Sequence, residues 1–137
     1  MARLAHVCLE STNLAASEAF YRLLGLTRQF DFRNPDGELV GFYLKFSNET
    51  FLEVVAVRNA TPEARFRHFA IEVDDIHAAR AALAGAGHDP SEVCKGSDGT
   101  WVATVKDPTG VFLELHQYDA DSLQRTGGVC RVDYSIR

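Results

Sequence analysis

NETFLEV at residues 48–54 and TGVFLEL at residues 109–115 are two versions of one segment, and laying one on the other exposes an internal repeat. With Phe51, Leu52 and Glu53 set on Phe112, Leu113 and Glu114, a nearly equal displacement sets His6 on His68, Leu9 on Ile71, Glu10 on Glu72, Leu14 on Ile76, Ala16 on Ala78, Ala19 on Ala81 and Gly25 on Gly87. The chain reads as a single domain, 1–137, built from a first module near 1–58 and a second near 64–119. A short linker lies around Asn59–Glu63, and a tail, 120–137, follows.

Both modules carry the same elements. Leu4–Glu10 alternates, with His6, Cys8 and Glu10 on one face and Ala5, Val7 and Leu9 on the other, which predicts a strand. A helix is expected over Asn13–Leu24, capped by Asn13, striped with Ala16, Ala19, Phe20 and Leu23, and stopped by Gly25. Strands near Thr27–Phe32, Leu39–Phe46 and Thr50–Val57 follow, separated by turn-formers at Asn34–Gly37 and Ser47-Asn48. The second module repeats the order: a strand at Arg67–Val73, a helix from Asp74-Asp75 to Ala84, strands near Pro90–Cys94 and Thr100–Val105, a turn at Asp107–Gly110 and a last strand at Val111–Tyr118. The fold class is α+β, with βαβββ occurring twice.

Bulk properties narrow the function classes. A chain of 137 residues with 46% apolar and 24% charged residues can bury a core as an ordinary globular domain. Its net charge of −5 argues against non-specific nucleic-acid binding, which needs a basic face. No apolar run approaches the roughly 18 residues that span a bilayer, and MARLAHVCLE lacks the pattern of a secretory leader. The expectation is a cytoplasmic protein with a small-molecule substrate and neither membrane nor nucleic acid as partner. Three cysteines without CxxC spacing do not form a disulfide framework, and Cys8 reads as a small buried hydrophobe.

His6 and His68 occupy the first strand of their modules; Glu53 and Glu114 occupy the last. Phe51, Glu53 and Val55 share one face and Leu52, Val54 and Ala56 the other, so the strand is apolar on both sides. Much the same holds for Phe112, Glu114 and His116 against Leu113 and Leu115. A carboxylate there is costly unless a cation or strong hydrogen bonds compensate it. One reading leaves the histidines as hydrogen-bonded core residues and pairs the glutamates with Arg3, Arg67 or Lys45. The other brings all four residues, across a pseudo-two-fold axis, to one divalent ion per site; imidazole and carboxylate together suit Zn²⁺, Ni²⁺, Co²⁺, Mn²⁺ or Fe²⁺.

In LAHVCLE (4–10), SEAFYRLLGL (17–26), RHFAIEVDDI (67–76) and KDPTGVFLELHQY (106–118) the chain resembles the vicinal oxygen chelate superfamily, which includes glyoxalase I, methylmalonyl-CoA epimerase, extradiol dioxygenases, fosfomycin-resistance transferases and bleomycin-binding proteins. The resemblance implies cupped mixed sheets around a metal, with modules often paired across a homodimer. His6, Glu53, His68 and Glu114 match the ligand places of the glyoxalase-I-like branch, and Glu53 is the acid that the dioxygenases and fosfomycin transferases typically lack. Glutathione-holding residues of bacterial glyoxalase I are replaced here by Glu10 and Val57, which argues against glutathione chemistry.

A metal with open positions stabilises an enediolate on two neighbouring substrate oxygens, and a glutamate that leaves the metal can move the α-proton. The resemblance gives that role to Glu53, Glu114 or both, in an isomerase, epimerase or lyase of glyoxalase type acting on a small α-hydroxycarbonyl-like substrate. The alternatives are an iron-dependent dioxygenase or thiol transferase on the same scaffold, or a resistance-type binding protein without turnover. His116 could line the pocket or support Glu114, and Trp101 could wall the pocket or belong to the core. Gly96–Gly99 fits a hairpin loop better than a lid, His77 and His88 read as surface residues, and the tail carries no catalytic pattern and could pack on a partner subunit.

Overall fold

The computed structural model describes residues 1–23, 25–59, 66–106 and 112–136, apart from the side chains of Phe20 and Leu23. In the first module β1 (Arg3–Ser11) leads into α1 (Leu14–Leu23), which starts where Asn13 Oδ1 accepts the Ala16 amide at 3.0 Å. In the second, β5 (Phe66–Glu72) leads into α2 (Ile76–Gly85), with Asp75 Oδ1 accepting the Ala78 amide at 2.9 Å. Beyond each helix a glycine takes the left-handed conformation that stops it, Gly25 at φ 88° and Gly87 at φ 89°. β2 (Thr27–Arg33), β3 (Leu39–Lys45) and β4 (Phe51–Ala56) complete the first module; β6 (Cys94–Lys95), β7 (Trp101–Lys106) and β8 (Phe112–Gln117) complete the second.

One expectation needs correction here. The strand expected over Pro90–Cys94 is shorter and later, because only Cys94 and Lys95 enter the ladder, opposite Val102 and Trp101, while the Ser91 amide makes an isolated backbone bond to the Thr104 carbonyl. The tail forms α3 (Leu123–Thr126) and β9 (Gly128–Arg131) and packs on its own chain. Most of the expected linker and the whole of the turn at Asp107–Gly110 lie outside the described residues.

The nine strands of the described residues form one curved sheet in the order β6-β7-β8-β5-β1-β4-β3-β2-β9. Within each module the first and last strands are parallel neighbours, β1 with β4 and β5 with β8. The modules meet where β1 runs antiparallel to β5, and the pseudo-two-fold axis passes between these strands. That ladder has two symmetry-related bulges. Leu4 opposes Ile71 and His6 opposes Ala70, leaving Ala5 over; Cys8 opposes His68 and Leu9 opposes Phe66, leaving Arg67 over. A bulge re-aims the side chain it carries, and here each one immediately precedes a histidine.

Alternation sorts the side chains as the sequence implies, except that the bulge turns Ala5 to the inner face, away from Val7 and Leu9. Leu52 and Val54 join Phe42, Leu44 and Leu26 on the outer face, with Leu14 and Tyr21 of α1 packed against them. Ile76, Ala79 and Leu83 of α2 cover Ala103 and Leu115 on the outer face of the second module. The inner face holds Phe30, Phe32, Tyr43 and Phe51, and the tail packs into it through Leu123, Val132 and Ile136. No described helix is long and apolar enough to cross a membrane.

Gly41 sits mid-strand between Phe32 on β2 and Val55 on β4, where an added Cβ would lie 2.6 Å from the Val54 carbonyl oxygen. Glycine is required by that backbone approach. Gly41→Ala should lower stability by about 1–3 kcal/mol through overpacking, read as a lower urea midpoint at unchanged slope.

Candidate metal centre

The inner face at the module junction gathers the four residues that the repeat singles out. His6 is fully buried on β1, between Phe51 of β4 and Ala70 of β5. Glu53 lies opposite Cys8, Cys8 lies opposite His68, and Glu114 lies opposite Ala70, so adjacent rungs carry all four inward. His6 Nε2 is 2.9 Å from His68 Nε2, 3.0 Å from Glu53 Oε2 and 3.7 Å from Glu114 Oε2. His68 Nε2 is 3.6 Å from Glu53 Oε2 and 3.4 Å from Glu114 Oε2. One chain supplies the whole set, so exchange of modules across a homodimer is not needed to assemble it.

Those separations test the fit of a metal. Nitrogen and oxygen ligands about 2.0–2.2 Å from a common ion stand about 3–3.6 Å apart at tetrahedral or square angles, and the spacings of each histidine to the other and to both glutamates, 2.9–3.7 Å, are close to that scale. His6, His68 and Glu114 form one group of donors within 4.8 Å of one another, and Glu53 joins His68 and Cys8 in another. Imidazole nitrogens and carboxylate oxygens this close repel unless a proton or cation lies between them. The donor set fits a borderline divalent ion. The competing ion pairs do not form: Arg3 pairs with Glu72 and Asp74, and Arg67 reaches only Glu10, at 3.7 Å. Among the described residues neither Glu53 nor Glu114 has a lysine or arginine partner.

The surroundings fix these side chains. Tyr43, which sequence reading passed over because it sits in an apolar strand, places its hydroxyl 2.9 Å from His6 Nδ1. With Nε2 left free for a cation, Nδ1–H donates to that oxygen, the usual second contact of a metal-binding histidine. His116 supports Glu114, its Nε2 standing 2.9 Å from Oε2, while its own Nδ1 is buried without a partner among the described residues. Burial holds the His6 imidazolium below its ordinary range, against the opposing pull of Glu53. For His68 burial also disfavours the charge, but hydrogen bonds to Glu114 and Glu53 outweigh it and raise the group to about 9. Glu53, though burial opposes its ionisation, is drawn down to about 2 by His6 and His68, and Glu114 is drawn well below its usual range by His116 and His68.

A cleft of about 610 Å³ opens from Glu53 and His68, walled by Cys8, Glu10, Val55, Val57, Arg67 and Tyr134 of the tail. Glu10 and Val57, the two departures from the glutathione-binding pattern, both face it. A smaller space of about 210 Å³ lies beyond Glu53, against Tyr43, Glu53, Glu114, His116 and Asp98. Trp101 belongs to neither: it packs against the α2 cluster on the outer face and donates its indole N–H to Asp119 at 2.8 Å. The Gly96–Gly99 turn is pinned, since Asp98 accepts from Gln124 at 2.7 Å and its carbonyl accepts the Leu123 amide at 2.8 Å. Neither Arg67, re-aimed by its bulge, nor Tyr134 had a signal in the sequence.

A family model described as the Glyoxalase/Bleomycin resistance protein/Dioxygenase superfamily matches residues 3–115. The chain belongs to this superfamily. No curated protein matches it. Among solved structures it is similar to methylmalonyl-CoA epimerase from Mycobacterium tuberculosis at 19% identity and TM-score 0.67, over 85% of this chain and 87% of that one. It is similar at 22% identity and TM-score 0.69 to a methylmalonyl-CoA epimerase variant from Streptomyces coelicolor in complex with 2-nitronate-propionyl-CoA, over 86% and 98%. Homoprotocatechuate 2,3-dioxygenase from Arthrobacter globiformis has 16% identity and TM-score 0.69, with 95% of this chain covering 42% of that one. At these identities the likeness is one of fold, and the superfamily match stops before α3 and β9.

Tyr43→Phe should lower divalent-metal affinity about 10–100-fold, the usual cost of an outer-shell partner, with an unchanged circular dichroism spectrum; competition with a chromophoric chelator measures it. The metal-free protein should also show a stability maximum near pH 6.5. Above it, the stability from His68, whose folded value is raised from 6.5 to about 9, is lost as pH rises. Below it, the lowered His6 withdraws its share, and the carboxylates withdraw theirs as pH falls from 4.5 towards about 2 for Glu53. Urea midpoints from pH 3 to 10 would test both limbs; His68→Gln should flatten the alkaline limb and, because His68 helps hold both carboxylates down, weaken the acid one as well.

Proposed function

We propose that the protein is a divalent-metal-dependent isomerase, epimerase or lyase of glyoxalase type, with His6, Glu53, His68 and Glu114 as the metal ligands. The observation that carries this is the convergence of Nε2 and Oε2 atoms from both modules at 2.9–3.7 Å, with no lysine or arginine partner among the described residues to neutralise the carboxylates. A bound divalent ion supplies Lewis-acid stabilisation of the charge that develops on two neighbouring substrate oxygens when the adjacent carbon loses its proton.

The chain's own residues divide the remaining work unequally. Glu53, which accepts from the Cys8 thiol, borders the 610 Å³ cleft, whereas Glu114 is held by His116 and borders only the smaller space. This supports Glu53 as the carboxylate that takes the α-proton and returns it to the same or the adjacent carbon. Glu114, held through Oε2, keeps the centre assembled, and Tyr43 orients His6. A cleft of this size accepts a small oxygenated substrate, of the α-hydroxycarbonyl type.

The test is exchange of the α-proton for deuterium, followed by NMR, with protein loaded separately with Zn²⁺, Ni²⁺, Co²⁺ and Mn²⁺ and offered hydroxycarbonyls, thioesters and hemithioacetals. We expect metal-dependent exchange with at least one class, and Glu53→Gln should slow it about 10²–10⁴-fold, the worth of a general base. Stoichiometrically loaded protein that exchanges no α-proton in any of them would sink the reading. Oxygen uptake with a catechol instead would move the protein to the dioxygenases.

A further inference from the structure

The repeat offers an internal comparison. Ala70 in the second module is the counterpart of Cys8 in the first: Cys8 lies opposite Glu53 and His68, and Ala70 lies opposite Glu114 and His6. Both positions are fully buried or nearly so, and the alanine fills its place completely. Packing at this position therefore asks for a small side chain and not for sulfur. Yet Cys8 points to the face that carries the ligands, lines the cleft, and has its Sγ, a Glu53 oxygen and a His68 nitrogen all within 4.8 Å of one another. Sulfur, oxygen and nitrogen donors on three adjacent strands form a second ligand group, which shares His68 with the group made by His6, His68 and Glu114.

We propose that Cys8 is a further metal ligand, which makes the centre selective for thiophilic divalent ions such as Zn²⁺, Co²⁺ or Cd²⁺ over the hard ions Mn²⁺ and Mg²⁺. This rests on the reading of the four-residue set as a metal centre. Imidazole and carboxylate alone discriminate weakly among divalent ions, whereas a thiolate gains only with a borderline or soft one. On binding, the Cys8 S–H bond breaks, its proton passes to solvent, and a sulfur–metal bond forms with no change of oxidation state. A hard ion leaves the thiol protonated and gains nothing from it.

The experiment uses the full chain and Co²⁺ as probe, titrated into wild type, Cys8→Ala and Cys8→Ser. Ala70 indicates that alanine is accommodated at the first site. Wild type should give an intense near-ultraviolet thiolate-to-cobalt absorption beside the weak visible bands of bound Co²⁺. Cys8→Ala should lose the former and keep the latter; Cys94→Ser, at the exposed cysteine, should change neither. Zn²⁺ affinity should fall in Cys8→Ala by at least the about 10-fold that a supporting contact is worth at a metal site, while Mn²⁺ affinity stays as it was. Visible bands without the thiolate band in wild type, or a thiolate band that survives in Cys8→Ala, overturns the role of Cys8 and leaves the four-residue centre standing. Failure to bind Co²⁺ at all overturns both.

Discussion

The antiparallel ladder between β1 and β5 is the contact on which the rest depends. It is the only direct strand pairing between the two modules among the described residues, and both histidines sit on it. Side chains alternate along a strand, so a slip of one residue in this ladder would turn His6 and Cys8 towards the helices and bury Val7 and Leu9 against the inner core. What prevents the slip is apolar: Val7 and Leu9 pack into the outer cluster under α1, and Ala5 and Ala70 close against the inner aromatic residues. Hydrophobic burial on both faces thus sets the register, and the register sets the 2.9 Å approach of the two imidazoles.

That arrangement places two ionised carboxylates on a largely covered surface, where isolated charge is expensive. In the metal-free chain His68 supplies part of the compensation, since its proton is held to about 9 between Glu53 and Glu114. His6, more deeply buried and tied to Tyr43, stays neutral. A proton at His68 and a divalent ion at the centre are therefore competitors for the same pair of oxygens. The buried ion pair is better explained by readiness for a cation than by stability, because a pair of apolar residues would cost the fold less.

Much of this was legible because duplication writes each of these polar residues twice. His6 with His68 and Glu53 with Glu114 recur at matched places, and strand alternation alone puts them on the face opposite Leu52, Val54 and Leu113. The helices, caps and stops were equally plain, since Asn13, Asp75, Gly25 and Gly87 act locally. What stayed hidden lacked a periodic signature. Tyr43 lies in LVGFYLK, apolar on both faces, where nothing distinguishes a ring with a task from a ring in the core. Trp101 shares the apolar face of WVATVK with Ala103 and Val105, but which side of the sheet that face meets depended on the pairing with β8 and not on composition. The bulge at Arg67 is a consequence of tertiary pairing, with no glycine or proline to announce it; Gly127 and Gly128 mark a turn in the tail but not where the tail packs.

The departures from the repeat then decide how the centre is used. A strict two-fold site would present identical surfaces on its two sides and hold both glutamates alike. Here Cys8 faces Ala70 across the axis, Arg67 answers Ala5, and Val55 answers His116. On one side the alanines close against the aromatic core and His116 clamps Glu114, leaving about 210 Å³. On the other, Cys8, Val55 and Arg67 border about 610 Å³. Glu53 borders both spaces and Glu114 only the smaller, where His116 holds it. The symmetric residues set the charge and the donors of the inner face, and these three substitutions make the two glutamates unequal without disturbing the ladder that aligns them.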